Sequence, residues 1–128
     1  MNGEVRWTEE EGYVGTTSRG KVFGIYGDSS PSPMEMVLHS HAACSLIDVI
    51  DGLKDRSDNV EFATVEIDSV RSDKRPRVFT SVNMKYTVKG DVPEKLVRRL
   101  IEQSHEKYCS VGIMTVSYTH LTLPTTTS

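Results

Sequence analysis

The run from Ser32 to Lys54 constrains the fold of this chain more than any other segment. Ser32 can cap a helix, Pro33 takes the first helical position, and Glu35 stands three residues after the cap. That is a capping box with the favoured N-terminal proline. The residues that follow are apolar on nearly every side through the middle of the run. The spacing predicts a helix to about Lys54, buried over most of its circumference. Glu35, His39, His41, Asp48 and Asp51 break the apolar stretch, so it lacks the roughly 20 clean apolar residues of a membrane span.

Before this helix, short strand-like runs occupy Glu4 to Trp7, Tyr13 to Thr17 and Lys21 to Tyr26, separated by Gly12 and the Ser18-Arg19-Gly20 corner. Trp7, Tyr13 and Tyr26 are expected to pack within that sheet. After it, Val60 to Val70 and Val78 to Lys89 read as a hairpin joined by Ser72 to Pro76. The second run alternates, with Val78, Val82, Met84, Tyr86 and Val88 on its apolar face. A second capping box, Asp91-Val92-Pro93-Glu94, opens another helix that ends near Cys109. Leu96, Val97, Leu100, Ile101, Ser104 and Tyr108 form its inward stripe. Strands, helix, strands, helix in one domain of 128 residues gives an α+β fold with an antiparallel sheet.

The charge balance, 15 Lys+Arg against 18 Asp+Glu, lacks the basic footprint of a nucleic-acid binder. The short cluster Arg71, Lys74, Arg75 and Arg77, with Asp73 among them, reads as a solvated hairpin tip. No charged leader with an apolar core opens the chain, so a cytoplasmic, membrane-free protein is expected. In a reducing compartment its 2 cysteines are reactive or simply buried rather than a structural disulfide.

Cys44 lies in the middle of the first helix, with His41 and Asp48 as its neighbours one turn away. An imidazolium at His41 would favour a thiolate, and the Asp48 carboxylate would oppose it. A lone cysteine on an apolar helix otherwise behaves as a small hydrophobe. Cys109 comes at the end of the second helix, with His105 one turn before it. The pairs His41/Cys44 and His105/Cys109 have spacings that place two metal ligands on one face. No short Cys-x-x-Cys knuckle accompanies them, and neither a metal nor another cofactor is expected.

The stretch Val116 to Thr125 resembles the in-frame translation of a transposon adapter used in sequencing libraries. Residues 1–115 are therefore expected to be the native domain and 116–128 a non-native tail that carries no function.

The run Ser-Pro-Met-Glu-Met-Val-Leu-His-Ser-His-Ala-Ala-Cys-Ser-Leu-Ile-Asp-Val-Ile over residues 32–50 resembles the central helix of the OsmC/Ohr family. Arg75-Pro76-Arg77-Val78-Phe79 and Glu106-Lys107-Tyr108-Cys109-Ser110-Val111 fit the same family, and the versions here are similar to its YhfA-like subgroup. The resemblance implies an intertwined homodimer and a thiol peroxidase that reduces organic hydroperoxides and is recycled by a dithiol reductant. It implies Cys44 as the peroxidatic cysteine and Cys109 as the resolving one. The family places a glutamate ten residues before the peroxidatic cysteine, paired with an arginine. Here Met34 holds that position, and Glu35 follows one residue later, turned by about 100°. Arg19 stands beside the expected arginine position. The site implied is thus Cys44, Cys109, Arg19 and Glu35. An alternative on the same fold is a non-catalytic protein that binds a small apolar ligand.

Overall fold

The computed structural model describes residues 1–108 and 119–127. The elements are β1 (Gly3–Thr8), β2 (Gly12–Thr17), β3 (Val22–Ile25), α1 (Pro33–Gly52), β4 (Val60–Arg71), β5 (Phe79–Gly90), α2 (Glu94–Gln103) and β6 (Thr119–Thr127). A 3₁₀ segment, Lys54–Asn59, follows α1, and a π-helical turn, Ser104–Tyr108, follows α2. The chain divides into two units, Met1–Leu38 and the part from His39 onward.

In the first unit β1, β2 and β3 form an antiparallel sheet in that order, with Trp7 opposite Tyr13 and Gly15 opposite Phe23. The β2–β3 turn needs a left-handed residue, which Gly20 supplies at φ 79°. The expected packing of the aromatics is corrected here. Trp7 is 61% exposed and Tyr26 67%. Tyr13 has an edge-on contact with Tyr26, the ring centroids 6.3 Å apart. Three short strands and the start of a helix offer too little surface to cover both faces of a sheet.

In the second unit β5 is the central strand, paired antiparallel with β4 and parallel with β6. The antiparallel expectation holds for β1–β2–β3 and β4–β5. Strand β6 runs parallel because α2 intervenes between it and β5, and a parallel neighbour requires such a crossover. Residues 119–127 of the segment expected to be foreign form this strand. Val82, Met84, Tyr86 and Val88 of β5 and Val97 and Ile101 of α2 belong to the buried core, each at most 1% exposed. Each such side chain contributes about 1.5–3 kcal/mol by leaving water.

Three expectations are corrected by register and capping. Val78 is 54% exposed, and Phe79 is buried in its place. Val70 pairs with Ser81 but Arg71 with Phe79, so Thr80 is an extra residue that reverses the alternation below it. Helix α2 starts at Glu94 with Pro93 as its cap and no side-chain capping bond. Asp91 is held elsewhere, its N–H donating to the Asn59 carbonyl at 2.9 Å. Helix α1 is not buried over most of its circumference: His41, Ala42, Ser45 and Val49 are buried, whereas Ile47 is 58% exposed.

At the end of α1, Gly52 lies against Leu100 of α2 so closely that a Cβ at this position would overlap the leucine side chain. The missing side chain is what allows the two helices to approach.

Candidate active site

The capping box that opens α1 forms as its residues require. The Glu35 N–H donates to Ser32 Oγ at 3.2 Å, and the Ser32 N–H donates to Glu35 Oε1 at 3.0 Å. The Glu35 carboxylate is thereby engaged at the helix start, on an exposed residue. Arg19 is exposed in the β2–β3 turn, next to Gly20. Both belong to the first unit, whereas Cys44 belongs to the second. Cys109 lies outside the described residues.

Cys44 is a half-buried free thiol on the flank of α1, between the buried face and the exposed strip that holds Ile47. The side chains around it on the helix are held by other elements. Ser45, fully buried, sits 2.6 Å from the Tyr86 hydroxyl of β5 and 3.0 Å from His105 Nε2 in the π-turn. Tyr86 and His105 are themselves 2.5 Å apart at the same two atoms. Donor and acceptor roles within this trio follow the tautomer of the neutral His105 ring, and the Tyr86 hydroxyl also has the Met84 sulfur within 3.8 Å. Asp48, one turn after Cys44, accepts a 2.7 Å hydrogen bond from the Ser104 hydroxyl. His41, one turn before, is 2% exposed, with its ring centroid 5.5 Å from that of His105.

Burial pushes His41 below the usual imidazole range. Burial pushes His105 down as well, to about 4, helped by the neighbouring His41 and opposed by Asp48. His41, one turn from Cys44, is therefore a neutral ring at pH 7 and brings no positive charge to the thiol. Among the described residues no group of three or more His, Cys, Asp or Glu side chains could hold a metal ion, and no helix is long and apolar enough to cross a membrane.

The Ser45–Tyr86–His105 cluster is not evident in the sequence patterns. Two signals point to it. Ser45 stands on the buried face of α1 with Ala42 and Val49, and Tyr86 carries a hydroxyl on the inward face of β5, where burial demands a partner.

Within the first unit a cleft of about 540 Å³ is lined by Val5, Tyr13, Ile25, Tyr26, Pro33 and Met36. Its walls are apolar side chains and aromatic rings, and Pro33 and Met36 come from the opening turns of α1.

Comparison with known proteins finds a matching family and similar structures. Residues 26–122 match the family described as OsmC-like protein. Protein YhfA of Escherichia coli strain K12 is 38% identical over 127 residues, covering 94% of this chain and 95% of its own. A crystal structure of a hypothetical protein from Aquifex aeolicus is 29% identical, with a TM-score of 0.83 over 98% of this chain and 94% of that one. An organic hydroperoxide resistance protein from Elizabethkingia anophelis shares the fold, with a TM-score of 0.64 at 15% identity over 100% of this chain and 96% of that one.

Proposed function

This chain belongs to the OsmC-like protein family, and from that premise we propose that it is a cysteine-dependent peroxidase acting on organic hydroperoxides. The observation that carries the reading is Cys44, a half-buried free thiol on the helix that the family match spans. The Cys44 thiolate attacks one peroxide oxygen, an S–O bond forms and the O–O bond breaks. The products are an alcohol, protonated as it leaves, and a sulfenic acid on Cys44. The Cys109 thiol then displaces water to form a disulfide, and a dithiol reductant returns two electrons by exchange. Arg19 stabilises the thiolate and Glu35 orients that arginine.

The apolar cleft in the first unit supports a substrate whose bulk is hydrocarbon. The protein acts in the cytoplasm as an intertwined homodimer. The exposed side chains of Val5, Tyr26 and Ile47 support a second copy covering them.

Dithiol-dependent consumption of an organic hydroperoxide is expected from the wild-type protein and not from Cys44→Ser. Equal, background-level rates in both would sink this reading. They would favour a binding protein for a small apolar ligand, which the cleft and Met34 at the family's glutamate position support.

A further inference from the structure

A helix packed only through apolar side chains has its depth set by those contacts and its rotation held weakly, because burial is non-directional. On α1 the apolar contributors to the buried face near Cys44 are Ala42 and Val49. Hydrogen bonds weaken steeply away from linearity, so they fix rotation where packing does not. Those on α1 converge around Cys44. Ser45, the next residue, reaches both the Tyr86 hydroxyl and His105 Nε2. Asp48, one turn on, takes the Ser104 hydroxyl, and the ring of His41, one turn back, lies against that of His105.

We propose that Tyr86 and His105 are positioning residues for Cys44. By holding Ser45 from β5 on one side and from the π-turn after α2 on the other, they set the rotation of α1 and hence the direction in which the neighbouring thiol is presented. This rests on the reading of Cys44 as the nucleophile. The cluster acts through geometry rather than charge: the two histidines that face it are neutral at pH 7, and the Asp48 carboxylate is hydrogen-bonded to Ser104. Among the described residues, Tyr86 and His105 meet Ser45, and His41 and Asp48 are the ionisable neighbours of Cys44 one turn away on α1. The requirement for a hydroxyl opposite Ser45 explains why a tyrosine stands on a strand face otherwise filled by Val82, Met84 and Val88.

The test measures alkylation of Cys44 by iodoacetamide across pH 5 to 10, in a Cys109→Ser background so that only one thiol reports. Tyr86→Phe, which removes a single oxygen, and His105→Leu are each compared with His105→Gln, which restores a polar group able to meet Ser45. At the alkaline plateau, where every variant is a thiolate, Tyr86→Phe and His105→Leu are expected to react with a rate changed by about fivefold, the factor that goes with one lost hydrogen bond. His105→Gln is expected to recover most of the difference.

In the protein with Cys109 intact, the same two variants change kcat for hydroperoxide while KM stays within about twofold. Plateau rates equal to the parent in folded Tyr86→Phe and His105→Leu would overturn the proposal and leave the cluster a stabilising feature of the core. If the wild type consumes no hydroperoxide while the alkylation differences persist, the peroxidase reading fails and the positioning of Cys44 stands.

Discussion

Lowering the pH from 7.5 to 5 should destabilise this protein through His105, by an amount the structure allows to be worked out. In the folded chain burial and the neighbouring His41 hold the ring at about 4, against 6.5 in the unfolded chain. The folded value is the depressed one, so the neutral ring contributes stability that is fully present above pH 6.5. That stability is lost as pH falls from 6.5 toward 4, because the unfolded chain takes up a proton that the folded chain refuses. At about 1.36 kcal/mol per unit, the gap amounts to roughly 3 kcal/mol in full and about 2 kcal/mol by pH 5.

His41, also depressed by burial, acts in the same direction. Urea unfolding followed by circular dichroism, at fixed protein concentration, gives the stability of wild type and His105→Gln at both pH values. The variant is less stable at pH 7.5, since it loses a buried partner of Tyr86, but it lacks the acid penalty of the imidazole. The gap between the two proteins should therefore narrow by about 2 kcal/mol at pH 5, a shift in midpoint on the order of 1 M urea. A gap that stays constant from pH 7.5 to 5 would refute the reasoning. It would mean that the ring is protonated in the fold at least as readily as in the unfolded chain.

Gly52→Val forces a branched side chain onto Leu100 and is expected to cost about 1–3 kcal/mol. Adding Leu100→Ala should make the valine's extra cost small, which a double-mutant cycle in urea reads directly. Ser32→Ala removes the hydroxyl that receives the Glu35 N–H and should lower stability by about 1 kcal/mol, a fall of about 4 °C in Tm. An unchanged Tm would mean that the start of α1 is held by its packing alone.

Features set by neighbours in the chain were legible from residue order. The Ser32–Glu35 box spans three residues, and both of its bonds form. The alternation through Val82, Met84, Tyr86 and Val88 reports the inward face of β5 because successive side chains of a strand oppose one another. Where local order was misleading, a distant contact had intervened. Asp91 has the composition of a cap, but its backbone is engaged by Asn59, so α2 starts without one. Val78 continues the apolar alternation, yet the extra residue at Thr80 turns it to solvent and Phe79 inward.

The amino-acid order by itself determined the α+β class, the start of α1, the family and the position of Cys44 in the middle of a helix. The surroundings of that cysteine were decided only in three dimensions. Ser45 meets Tyr86 across 41 residues and His105 across 60, and no periodicity records such partnerships. Periodic patterns reveal which face of an element leaves water. The partner a buried hydroxyl finds, and whether a buried imidazole holds its proton, depend on elements brought together from far along the chain. There the loss of water raises the cost of charge and makes each hydrogen bond obligatory.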